Sequence, residues 1–194
     1  MADLNHDKIA TYRNDKDRKM ELSIGVYMGG ASLTVFGAER QGGPLAKFPV
    51  PADMTVLLGR WLRQMITAEP GTKRSAKITK WNNEAKKAET IGTVVVGRDD
   101  EGVYIGIASS KMQPAKFPIR FGMAWDVSSE YAGKTEESLE ATEALITALN
   151  TDVRMARMLT SFKREGGFGG KPGGGFGGGG GRGGAPAMDD SMLF

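Results

Sequence analysis

Two five-residue stretches, Ala46-Lys47-Phe48-Pro49-Val50 and Ala115-Lys116-Phe117-Pro118-Ile119, are nearly identical, and each closes a run of β-type residues. Such a repeat constrains architecture more than composition does, because the units of a duplicated chain bury their apolar faces together. Ahead of the first stretch, Leu22 to Met28 and Ser32 to Phe36 read as strands split by the turn-forming pair Gly29-Gly30. Behind it, Met54, Leu57, Leu58, Trp61, Leu62, Met65 and Ile66 recur at helical spacing until Pro70-Gly71 stops them. The second half repeats this order, with strands over Thr93 to Arg98, Val103 to Ala108 and Ala115 to Gly122, preceded by a basic run through Trp81. A helix then opens near Thr135, with Glu136 and Glu137 where the helix dipole favours acids. Its apolar series is Leu139, Ile146, Leu149 and Val153, and Asn150-Thr151-Asp152 is expected to break it before Arg164. The expected fold class is α+β: duplicated antiparallel sheet-then-helix units of three strands each, over 21–70 and 73–165, behind an N-terminal arm at 1–20.

Chemistry of the usual catalytic kinds has little to stand on. The chain has no Cys and one His, His6, so nucleophile–base pairs and thiolate metal sites are not expected, nor is any cofactor, and the reading is of a protein that is not an enzyme. Asp99-Asp100-Glu101-Gly102 could be a carboxylate cluster for a cation, but acids followed by Gly between β-type runs read as a hairpin turn. The start lacks a basic-then-apolar leader and no eighteen apolar residues run together, so a cytoplasmic protein without a membrane partner is expected. Net charge is a modest +3, but it is sorted: Lys73 to Lys87 holds six Lys/Arg against one Glu, and Asp126 to Asp152 seven acids against one Lys.

Period-two alternation assigns the strand faces. Leu22, Ile24, Val26, Leu33 and Val35 fall on an apolar face in the first half, and Val103, Ile105 and Ile107 in the second. Opposite them stand Tyr27, Thr34, Phe36 and Lys47, then Tyr104, Lys116 and Arg120, so rings and cations share one surface. That pairing suits single-stranded nucleic acid, whose unpaired bases expose π faces to rings while Lys and Arg neutralise phosphates. The candidate stacking residues are Tyr27, Phe36, Trp81 and Tyr104, and the phosphate contacts Lys47, Lys77, Lys80, Lys116 and Arg120. Core packing or subunit contact is the competing role for these rings, and Trp61 belongs to the helical apolar series.

Gly166 to Gly184 holds 14 glycines in 19 residues and offers no side chains for a core, so it reads as a flexible spacer with a reach on the order of 25 Å. A single Arg-Gly-Gly, at Arg182, speaks against an arginine-rich RNA tail. The linker is placed at 166–187, disordered, followed by a tip at 188–194. In that tip Asp189 and Asp190 precede Met192, Leu193 and Phe194, a set suited to filling an apolar slot while its carboxylates meet Arg or Lys.

A basic-aromatic core, a Gly-rich linker and an acidic Phe-ended tip together resemble the single-stranded-DNA-binding proteins of bacteria and their phages. The tip departs from the bacterial Ile-Pro-Phe ending, since Met192-Leu193 stands in place of Ile-Pro, which favours a phage protein over a host one. The resemblance implies a role in DNA replication, recombination and repair, a bacterial or phage-infected host cytoplasm, a homo-oligomer, and replication or recombination proteins as partners of the tip. It also implies a core that is either an OB-fold barrel or, from the order of elements, Whirly or PC4-like (transcriptional positive cofactor). RNA binding or RNA chaperoning, and a protein–protein adaptor role, are the alternative functions.

Overall fold

The computed structural model describes residues 8–27, 29–38, 43–122 and 130–165, with the side chains of 153 and 155–165 excepted. The Gly-rich linker and the tip, with Asp189, Asp190, Met192, Leu193 and Phe194, lie outside the described residues. The elements run β1 (Lys8–Arg13), β2 (Glu21–Tyr27), β3 (Gly30–Phe36), β4 (Ala46–Val50), α1 (Ala52–Thr67), β5 (Lys73–Asn82), β6 (Lys87–Asp99), β7 (Gly102–Ser109), β8 (Met112–Pro118) and α2 (Lys134–Glu165). They form two antiparallel sheets of four strands, ordered β1-β2-β3-β4 and β5-β6-β7-β8. The α+β class and its sheet-then-helix duplication are as the sequence implies, whereas the alternative barrel is not formed: the sheets are separate and neither closes on itself.

Three expectations need correction. Each unit has four strands rather than three, because Lys8–Arg13, assigned to an arm, pairs with β2 from Lys8↔Gly25 to Arg13↔Glu21. The helix expected to break at Asn150-Thr151-Asp152 runs through it, and Thr151 returns its hydroxyl to the Thr147 carbonyl at 2.9 Å. The basic run through Trp81 is itself the additional strand of the second unit, from Lys73, and the strand expected from Thr93 begins at Lys87, the two pairing out to Asn82↔Lys87.

The duplication is written into the register. Phe48 stands opposite Leu33 in the first sheet and Phe117 opposite Ile105 in the second, so Lys47 and Lys116 hold equivalent places on their fourth strands. The helices are tied down equivalently as well. The Thr55 hydroxyl of α1 accepts from the Ala31 N–H at 3.0 Å, and the Ser138 hydroxyl of α2 accepts from the Val103 N–H at 2.9 Å. Gly precedes the anchored residue in both halves because a Cβ at Gly30 would strike the Val50 carbonyl, and one at Gly102 the Ser138 side chain. Arg98 closes α1, which has no basic residue in its last turn, by donating to the Ile66 carbonyl at 2.5 Å.

One apolar core joins the halves. Leu22, Ile24, Leu33, Val35 and Phe48 from the first sheet meet Val96, Ile105, Ile107 and Phe117 from the second, with Leu58, Leu62 and Met65 of α1 and Leu145, Ile146 and Leu149 of α2. The helices pack on each other and on strands of both sheets, α1 on β3, β6 and β7, and α2 on β1, β2, β3 and β7.

Candidate nucleic-acid interface

The outer sheet faces carry the rings and cations that alternation placed there. On the first sheet Tyr27 and Phe36 are half-buried and Lys47 is exposed, its Nζ 5.6 Å from the centre of the Tyr27 ring. On the second, Tyr104 lies across the sheet: a Cβ at Gly97, its cross-strand neighbour, would come within 2.5 Å of the ring. Gly97 therefore lets the phenol rest on backbone, as a side chain there would lift it. The Lys116 Nζ sits 5.1 Å from that ring's centre, so each half pairs its fourth-strand lysine with a tyrosine, within cation–π reach.

The Lys116 ammonium donates to the Asp99 carboxylate and has Asp15 at 3.8 Å. Burial alone would lower its pKa, but the hydrogen bond and charge of Asp99, with Asp15 and Glu101 beyond, outweigh this and hold it above the ordinary lysine value. Arg120 donates to the Glu101 carbonyl at 2.7 Å and has the Glu101 carboxylate at 3.8 Å, a carboxylate shared with Lys134 at 3.0 Å. The hydrogen bond and charge of Lys134 hold Glu101 below the usual carboxylate range. Asp99-Asp100-Glu101-Gly102 is thus the β6–β7 turn, its Glu101 N–H bound to Asp99 Oδ1 at 3.0 Å, and two of its acids serve as counter-ions. Lys116 and Arg120, both counted as phosphate contacts, have their charges answered within the protein.

The remaining sequence candidates sit on a projecting ribbon or at its base. β7 pairs with β6 only from Gly92 onward, so β5 and β6 continue alone through residues 79–90. Lys80 and Trp81 are exposed there, the indole to 59 %, and Lys77, also exposed, stands at the ribbon's base opposite Thr93, where β7 still pairs. The strand period puts Lys73, Lys77 and Trp81 on one face, about 13 Å apart in succession, and Lys80 on the other. The structure gathers Tyr104 with Lys116 and Tyr27 with Lys47, and holds Lys80 and Trp81 apart from both on the ribbon, with Lys77 at its base.

Sequence reasoning missed a basic notch of about 550 Å³ between α1 and β5, lined by Leu57, Arg60, Trp61, Gln64, Lys73, Arg74 and Ser75. Its signal was present in Arg60 and Gln64, and in Leu57 and Trp61, which are helical neighbours at i, i+4. A larger groove of about 1270 Å³ runs between β1, the end of β8 and α2, and there Asp15, Glu21 and Glu101 stand among the cations. Among the described residues no helix is long and apolar enough to cross a membrane. No protein family, no curated protein and no solved structure matches the chain.

Proposed function

We propose that the chain is a non-enzymatic protein that binds single-stranded DNA with little regard to sequence, in replication, recombination or repair. The observation that carries the reading is Tyr104 extended across Gly97 on the outer face with the Lys116 ammonium 5.1 Å from its ring centre, a ring and a cation offered together to a base and its phosphate, echoed by Tyr27 with Lys47 in the other half. The exposed Trp81 and its cations extend that surface along the ribbon. A duplex hides the faces of its bases, so such rings favour unpaired strands. Two four-stranded sheets, each followed by a helix, also suit the Whirly or PC4-like architecture better than a barrel. Assembly as a homo-oligomer in a bacterial or phage-infected cytoplasm belongs to the same reading. The tip, assigned on its sequence, recruits replication or recombination proteins through Asp189, Asp190, Met192, Leu193 and Phe194.

A titration with oligo-dT at several salt concentrations, run beside a duplex of equal length, tests the proposal. Single strands are expected to bind well above duplex at about 0.15 M salt, with affinity falling as salt rises. Equal affinity for the two would overturn stacking as the basis of recognition. Matched RNA and DNA oligonucleotides in competition separate this function from RNA binding, which turns on the 2′-OH. Phe194→Ala should abolish capture of partners from a host lysate while leaving DNA affinity nearly unchanged, because the ring supplies pocket burial and touches no phosphate.

A further inference from the structure

The cross-strand register sets Lys73, Gly97 and Tyr104 in one row across the outer face of the second sheet. The Tyr104 ring reaches over Gly97, toward β5. The next side chain along the row is Lys73, which also lines the notch between β5 and α1. Beyond it stand the exposed Arg60 on the helix and Arg74 on the strand, with the half-buried Trp61 also in the lining. Among the described residues no acid lines this notch, in contrast to the larger groove, and neither Arg60, Lys73 nor Arg74 forms an ion pair.

We infer that the notch is a phosphate-binding site for the nucleic-acid strand whose base stacks on Tyr104, so that the strand leaves the sheet across β5, at Lys73, and passes between Arg60 and Arg74. The inference rests on the single-strand reading and adds its route. Cations already held by carboxylates gain little from a phosphate, since they must first give up a partner, whereas unpaired ones release counterions on binding. The strand therefore exits on the side of β5, away from Lys116 and Arg120. Trp61, which also lines the notch, is the aromatic side chain within reach of a sugar or base at the same point. A guanidinium on each wall of the notch can hold one phosphate by paired N–H donors.

The test compares the full chain with Arg60→Gln, Arg74→Gln and Arg63→Gln in titrations of oligo-dT across a salt series. Arg63 is on the same helix but outside the notch, with Glu143 at 3.8 Å, so its loss changes net charge equally without touching the site. Arg60→Gln and Arg74→Gln should each weaken binding by about threefold to tenfold at low salt. Each should also make the log–log salt dependence shallower by about 0.7, the value of one single-strand phosphate contact. Arg63→Gln should keep the wild-type slope, and all three should melt with the wild type, as the substituted side chains are exposed. Wild-type slopes in Arg60→Gln and Arg74→Gln, or equal losses in all three, would overturn the notch while leaving single-strand binding in place. A wild-type chain that does not bind oligo-dT at all would overturn the reading itself, and the notch with it.

Discussion

At the scale of single residues, the outer and inner faces of one strand set different tests. Tyr104 on the outer face has its ring on backbone, so Tyr104→Ala is expected to cost about 1 to 3 kcal/mol of binding to oligo-dT and little thermal stability. Gly97→Ala should weaken binding too, though it leaves every ring in place, because its methyl would drive the phenol off the sheet. Normal binding by Gly97→Ala, measured by the same titration, would mean that the ring's place over Gly97 is irrelevant. On the inner face of β1, Tyr12 is buried to 6 % exposure, and burial pushes its phenol above the ordinary value of 10.0. A pKa raised by folding gives stability that is whole below the unfolded value and is lost as pH rises past it. The protein should therefore lose stability above about pH 10, and Tyr12→Phe should unfold at a higher pH while changing stability at pH 7 by less than about 1 kcal/mol. Lys116, also raised, leaves a residual alkaline loss in that variant. Denaturant midpoints at pH 7 and pH 10.5 to 11 for both proteins measure the difference.

At the scale of elements, the ribbon formed by residues 79–90 is where strand structure has the least core beneath it. Its side chains are nearly all exposed, and pairing with its own partner strand is what holds it. Replacing residues 79–90 with a short Asn-Gly turn should therefore leave the melting temperature within a few degrees and weaken single-strand binding by at least the share of one lost stack, Trp81. A large drop in melting temperature with unchanged affinity would make the ribbon a structural element. The same weakness explains why it was illegible in the sequence: Lys80 to Thr90 is rich in Lys and Glu and lacks alternation, because it faces no core. β1 was hidden for a related reason, since Lys8-Ile9-Ala10-Thr11-Tyr12-Arg13 earns its place only by pairing with β2. The two hairpins, both helices and the faces of Tyr27, Phe36 and Tyr104 were legible because each buries one side, which imposes a period of two or of 3.6. Partners set by register were not. Lys116 and Asp99 are 17 residues apart, and Thr55 and Ser138 lie 24 and 35 residues from Ala31 and Val103, whose N–H groups they bind. Spacing along the chain gives no hint of such meetings.

At the scale of the whole molecule, the duplication could have produced two small domains, and the packing shows that it did not. α1, from the first half, lies on β6 and β7 of the second, and α2 returns the exchange on β1, β2 and β3. Gly92 of the second sheet has no side chain because a Cβ there would meet the ring of Phe48 from the first. Either half alone, at 60 to 90 residues, would leave its own share of the joint apolar surface in water, and small units are already marginal. Unfolding should therefore be one transition, with damage in either half felt in both. Leu62 of α1 is fully buried among residues of the shared core. Leu62→Ala should cost roughly 2 to 5 kcal/mol through lost burial and the cavity left behind. Native-state amide exchange is the decisive measurement, since it reads each strand separately. If the halves are one cooperative unit, the slowest amides of β2 and β3 and those of β6 and β7 lose the same protection in Leu62→Ala, although the substitution lies in the first half alone. Loss confined to β2 and β3, with β6 and β7 unchanged, would make the halves two domains in contact, and a strand bound across β5 would then not stabilise the first sheet.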